Sequence, residues 1–208
     1  MIDLYWTGVG TREPTPEAEA VMTLVGVGLN SAPEYGFVLR SGKAKGSDTC
    51  FQLGTMASLY TKEKRYMEIY TPWKNFENPK VPDLYDISLS SLPTSLVNEA
   101  WDYVKQVHPN YKNLTPGERK LHTRNVFQVL GKDLQTPSMF VLMCATWASD
   151  HSVFGGTNTA FQVARMFDIP VLNVYDIVHD PLFQPDKMDC VHEILDWCYS
   201  ITSKELQK

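Results

Sequence analysis

The stretch Tyr35–Gly54, YGFVLRSGKAKGSDTCFQLG, decides the fold. Its first part, YGFVLRS, is apolar and β-prone, and GKAKGSD turns the chain into a helix expected over about Ser47–Leu59. The same unit lies on the N-terminal side. DLYWT (Asp3–Thr7) is a short strand, followed by the loop GVGTREPT and a helix over Pro16–Asn30. Thr15 suits its N-cap, Pro16 its first turn, and Glu17 and Glu19 the positive end of its dipole. On the C-terminal side, YMEIY (Tyr66–Tyr70) is a third strand. Strand, helix, strand, helix, strand at this spacing requires right-handed crossovers and a parallel sheet, hence an α/β fold.

Working outward, residues 71–136 break the pattern with TPWKNFENPKVPDLYD and then two helices, over Ser95–Val107 and from Pro116 to about Gly131. Thr115 and Glu118 form a capping box at the start of the second. So long a connection between sheet strands reads as a helical insertion between strands 3 and 4, and such insertions are commonly functional. The sheet resumes with SMFVLMCAT, an apolar run expected of a strand covered on both faces. The loop WASDHSVFGG, a helix over Thr157–Phe167, the strand IPVLNVY and a last helix over about Lys187–Glu205 follow. The last helix sets Val191, Ile194, Leu195 and Cys198 on one side. The expectation is a single Rossmann-like domain over residues 1–208: an open parallel sheet of about five strands, ordered 3-2-1-4-5, with helices on both faces.

The 208 residues are 43% hydrophobic and carry a net charge of −5. That balance argues against a nucleic-acid binder, which needs a basic face. Neither a signal-like N-terminus nor a membrane-length apolar run is present, so a cytoplasmic protein without membrane contact is expected. The four cysteines lack C-x-x-C spacing and read as free thiols. The five histidines show no ligand motif, and neither metal nor resident cofactor is expected. A homo-oligomer is compatible with the composition.

In such a sheet, ligands bind beyond the strand C-termini where the strand order reverses. Three glycine turns converge there in the expected topology: Gly8, Gly10, Thr11 and Arg12; Ser41, Gly42, Ala44, Gly46 and Asp48; and Gly155, Gly156, Thr157, Asn158 and Thr159. Glycine lets an anion approach the backbone, and a helix N-terminus offers it unpaired N–H groups. A phosphate is the natural guest. GVGTRE has Glu13 where a dinucleotide fingerprint needs glycine, and GKAKGSD lacks the Gly-Lys-Ser/Thr end of a P-loop, so neither hydride transfer nor NTP hydrolysis is supported.

YWTGVGTREPTPE, RSGKAKGSDTCFQLG and FGGTNTAFQVARMFDIPVLNV, in this order, resemble the SLOG superfamily of Rossmann-like nucleotide-binding proteins. That superfamily joins DNA-processing protein A, the Lonely Guy phosphoribohydrolases and the sensing domains of TRPM-type channels. The likeness is greatest to small bacteriophage SLOG proteins, with YTPWKNF and LHTRNVFQVLG as their insert pattern, and implies a host-cytoplasm setting. In the phosphoribohydrolases the matching motif is Gly-Gly-x-Gly-Thr-x-x-Glu. Laid on Gly155, this chain has Asn158 for the third glycine, keeps Thr159 and has Gln162 for the glutamate. The resemblance therefore implies a retained anion grip and a lost cutting group, because an amide cannot ionise.

Glu13, Asp48 and Asp150 are replacement acids, with Glu13 the best placed for catalysis. Lys105, Lys112, Arg119, Lys120 and Arg124 form a cationic segment against the single Glu118. Within it Arg124 suits a phosphate and Asn125 a base edge, while Trp147 and Trp73 suit base stacking. The leading expectation is a protein that senses or sequesters a phosphate-bearing nucleotide or nucleotide-derived signal, an immune signal if the phage likeness holds. The alternatives are an N-glycosidase or phosphoribohydrolase acting on a nucleoside monophosphate or ADP-ribose-like substrate, and a single-stranded DNA-binding recombination mediator.

Overall fold

The computed structural model describes residues 3–32, 34–58, 66–76, 83–180 and 186–207. The strands are β1 (Leu4–Gly10), β2 (Phe37–Ser41), β3 (Met67–Thr71), β4 (Asp86–Ser88), β5 (Phe140–Cys144), β6 (Trp147–Ser149), β7 (Ser152–Val153) and β8 (Val171–Asn173). Six of them form one parallel sheet in the order β4-β3-β2-β1-β5-β8, and β6 and β7 pair as a separate antiparallel hairpin. The expected five-strand order is present, extended at one edge by β4. The chain reverses its direction of growth between β1 and β5.

The helices are α1 (Pro16–Asn30), α2 (Ser47–Ala57), α3 (Thr94–Val107), α4 (Pro116–Leu130), α5 (Thr157–Met166), α6 (Val174–Val178) and α7 (Lys187–Glu205). The Leu59 end expected for the second helix lies outside the described residues. Side chains of β5 alternate between two cores, as period-2 geometry requires. Phe140, Leu142 and Cys144 join residues of α1, α2 and α7, while Val141 and Met143 join residues of α3, α4 and α5. All five β5 residues are buried, which is why this strand reads as a continuous apolar run. The segment 71–136 does contain the two expected helices, but it is woven into the fold: β4 pairs with β3, and α4 covers the second face of the sheet.

Local chemistry sets the element ends. The Thr15 hydroxyl accepts the Ala18 N–H at the start of α1, and Thr115 with Glu118 closes the capping box of α4. Two stretches depart from expectation. The strand expected over Ile169–Tyr175 is only Val171–Asn173, because the Asn173 side chain accepts the Tyr175 N–H and starts α6. The expected loop at Trp147–Gly156 contains the β6–β7 hairpin.

Candidate functional site

At the C-terminal ends of β1 and β2, between the starts of α2 and α5 and the exposed edge of α4, lies a cleft of about 560 Å³. Of the expected site residues, Gly10, Thr11, Arg12, Glu13, Ala44, Asp48, Arg124, Asn125, Gly155, Gly156 and Thr157 line it. Val9, Glu118, Leu121, His122, Phe154 and Ala160 line it as well and were not foreseen.

The glycine turns differ in what surrounds them. A Cβ on Gly8 would lie 2.8 Å from the Phe51 ring, and one on Gly10 would lie 2.5 Å from the Cys144 carbonyl oxygen. At Gly42 it would overlap the Arg124 guanidinium, and at Gly46 (φ +80°) it would lie 2.5 Å from the Thr11 carbonyl oxygen. These four are glycines because the protein itself fills the space. The Ser41 hydroxyl is likewise internal, donating to the Gly8 carbonyl at 2.7 Å. The start of α2 is closed in the same way, since Thr11 O accepts both the Ser47 N–H and the Ser47 hydroxyl at 3.0 Å.

The start of α5 is open. A Cβ on Gly155 would meet nothing within 4 Å, and one on Gly156 would meet only Asn125 Nδ2 at 3.9 Å. No side chain caps this helix. Asn158 and Thr159 donate back to Gly155 and Gly156, which leaves the N–H groups of Gly156 and Thr157 without a protein acceptor among the described residues. Such groups are satisfied by water or by a ligand, and the helix dipole favours a negative one. Asn125 Nδ2 donates to Gly156 O at 2.8 Å and holds the turn against α4.

Two arginines, Arg12 and Arg124, also line the cleft. Arg124 is only 7% exposed, and its Nη1 donates to Asp48 Oδ2 at 3.3 Å. Its Nε is buried without a hydrogen-bond partner among the described residues. Burial pushes the Asp48 carboxyl above its usual range, opposed by the Arg124 charge and by the Ala44 N–H. Burial also lowers the Arg124 value, which Asp48 opposes and the nearby Arg12 charge reinforces. Each member of the pair offsets part of the other's desolvation, and the exposed Arg12 brings a second positive charge to the same region.

His122 Nδ1 lies 2.7 Å from the Thr159 hydroxyl and packs edge-on against His108. Burial, with help from His108 and Arg124, lowers its pKa to about 4, so it is neutral at pH 7. Glu118 is held below the usual carboxylate range by hydrogen bonds from the Thr115 side chain and backbone. Glu13 sits exposed at the rim, its N–H bonded to the Thr11 hydroxyl.

The remaining expected residues stand apart from the cleft. Gln162 Nε2 donates to His151 O at 2.6 Å and to Asn158 Oδ1 at 3.3 Å, and Asn158 Oδ1 also accepts the Val153 N–H. Thr159 acts through His122. Asp150 is exposed in the β6–β7 turn. Trp147 packs on Phe161 and donates to Asp176, and Trp73 packs on Phe76. The cationic segment is partly spent: Lys105 pairs with Asp102, and Arg119 lies 4.3 Å over Trp101.

No family model matches the chain, and no curated protein matches it. A solved structure does match. The fold is similar to that of DNA processing protein A. The Helicobacter pylori protein, described for its unique single-stranded DNA binding mode, aligns with a TM-score of 0.51 and 17% identity, over 81% of this chain and 63% of that one. The chain thus spans under two thirds of that protein's length. At such identity the likeness is one of fold, and it agrees with the superfamily resemblance at that level. Among the described residues no helix is long and apolar enough to cross a membrane, and no group of three His, Cys, Asp or Glu side chains is placed to hold a metal ion.

Proposed function

We propose that the cleft binds a phosphate-bearing nucleotide or nucleotide-derived signal, which the protein senses or sequesters. The observation that carries this reading is the open start of α5. Gly156 has helical backbone angles that any residue adopts, and a methyl there would touch only Asn125, so the protein's own packing does not call for glycine. Space for an anion against the backbone does. The phosphate then meets the Gly156 and Thr157 N–H groups with Arg12 beside it, and the Glu13 and Glu118 carboxylates supply acceptors for sugar hydroxyls or a base amine.

Holding is favoured over cutting. The carboxamide of Gln162 is turned away into the hairpin, and Asp48 is bound by Arg124. Glu13 remains the residue through which an N-glycosidase would act, because its carboxylate lines the cleft. The structural neighbour brings single-stranded DNA as a second reading and weighs against dismissing nucleic acid on net charge alone. Against it, three acidic side chains, Glu13, Asp48 and Glu118, stand among the cleft-lining residues, and among the described residues only Asp48 of the three has a cation on it, so a polyanion would meet the other two.

Calorimetric titration with a nucleoside 5′-monophosphate and its nucleoside tests the reading. The nucleotide is expected to bind far more tightly, and Gly156→Asp to abolish that binding. Equal affinities would remove the anion site. Base release on incubation, stopped by Glu13→Gln with binding intact, would replace holding by hydrolysis. Tight, salt-resistant retention of an oligonucleotide would establish the nucleic-acid reading instead.

A further inference from the structure

Four exposed aromatic side chains are described: Trp73, Trp147, Phe154 and Phe167. Trp73 packs on Phe76, Trp147 on Phe161 and Phe167 on Tyr103. Phe154 alone among them has no ring partner among the described residues, and at 64% exposed it is the most open of the four. It lines the cleft, two residues before Gly156.

Its backbone is nevertheless held firmly. The Phe154 N–H donates to Thr146 O at 3.0 Å, and the preceding Val153 is buried with its N–H on Asn158 Oδ1 at 3.1 Å. The far strand of the hairpin is anchored where the Trp147 indole N–H meets both Asp176 oxygens at 2.9 and 3.0 Å. An apolar ring kept in water on a pinned backbone can cover a flat partner with no backbone left to order, only its own side-chain rotamers.

We propose that Phe154 is the platform on which the ligand's base stacks, so that the cleft selects nucleoside phosphates over sugar phosphates. The inference rests on the phosphate reading given above. From Gly156 to Phe154 the chain spans at most about 7 Å, the reach of one nucleoside unit from phosphate to base. Base stacking on an aromatic face tolerates any base, so the platform selects the class and leaves the choice of base to other groups.

The test is titration of the wild type, Phe154→Ala and Phe154→Trp with AMP, GMP, CMP, UMP and ribose 5-phosphate. In the wild type at least one of the four nucleotides should bind more tightly than ribose 5-phosphate. Phe154→Ala should weaken that nucleotide roughly 5- to 150-fold, leave ribose 5-phosphate unchanged and keep the wild-type thermal midpoint; Phe154→Trp should retain nucleotide affinity. Equal loss for nucleotide and sugar phosphate, or no loss for either, would overturn the platform while leaving the phosphate site standing. Equal wild-type affinity for both classes would do the same. Failure of the wild type to bind any of the five would sink the phosphate reading, and the platform with it.

Discussion

Two of the glycine-bearing turns that lead from a strand into a helix at the mouth of the cleft invite comparison, one at Gly42–Asp48 and one at Gly155–Thr157. The two turns have opposite fates. The first is filled by its own protein: the Arg124 guanidinium occupies the space beside Gly42, Thr11 takes the first helical N–H, and Asp48 is bound by Arg124. The second faces open space and keeps the Gly156 and Thr157 N–H groups without a protein acceptor among the described residues. A glycine turn before a helix is therefore an anion site only where the protein has not already supplied the anion or the packing. Here the Asp48 carboxylate plays that part at the first turn, close to a helix N-terminus and on a cation.

The largest expected effect breaks the closed turn at its ion pair. Arg124→Leu leaves the Asp48 carboxylate buried without its cation, and Asp48→Leu leaves the guanidinium likewise. Each should cost about 3–5 kcal/mol of stability, read from urea denaturation. The double variant should lose less than the sum, since neither charge is then stranded. A loss under about 1 kcal/mol for either single variant would mean that water reaches the pair and the turn is not closed. For the same reason, loss of binding in an Arg124 variant says nothing of ligand contact unless the fold is shown intact.

Next in size, Gly46→Ala should destabilise by about 2–4 kcal/mol, from a backbone region that only glycine visits readily and a Cβ forced against the Thr11 carbonyl. Thermal denaturation measures it. An unchanged midpoint would make the two turns equivalent and remove the contrast.

How much of this was readable from sequence depends on distance along the chain. The ends of α1 and α4 were legible because Thr15, Pro16, Thr115 and Glu118 act within one helical turn. The identity of the open turn was not, because what fills the space at Gly42 comes from α4, far along the chain. Similarly, the β6–β7 hairpin depends on Trp147 reaching Asp176, and the inward or outward aim of Gln162 on where that hairpin lies. One missed group did leave a signal. Glu118, Leu121, His122 and Asn125 stand at i, i+3, i+4 and i+7, which puts them on one face of α4. With Asn125 placed at the site, that spacing points to the other three, which were not among the expected site residues.

A smaller effect sharpens the open side. His122 lines the cleft beside the open turn, and its folded pKa of about 4 lies below the ordinary histidine value of 6.5. Between those values the unfolded chain holds the proton and the folded one does not, so stability should fall as pH drops from about 6.5 to about 4 and become independent of this group below that. His122→Gln should lose this component of the slope while keeping a hydrogen bond to Thr159. Comparing denaturation midpoints of both proteins at pH 7 and pH 4.5 isolates it from the carboxylates they share. Identical pH dependence in the two proteins would show that His122 is solvated and titrates normally.

The smallest expected effect on stability is the most telling for function. Gly156→Ala meets no clash, needs no unusual backbone angle and disturbs no side-chain cap, so its cost should stay within roughly 1 kcal/mol, the penalty of alanine for glycine at an N-cap. Gly155→Ala, with the same open surroundings but a φ of +79°, should cost more, about 1–2 kcal/mol. The pair separates what backbone conformation demands from what the ligand demands. If an anion seats on the Gly156 and Thr157 N–H groups, the methyl of Gly156→Ala intrudes on it, and nucleotide affinity should fall at least about tenfold, or 1.4 kcal/mol, in a protein whose denaturation midpoint scarcely moves. Retained affinity in that variant would mean that the ligand approaches the cleft from another side, and the open helix start would then be an unoccupied feature of the fold.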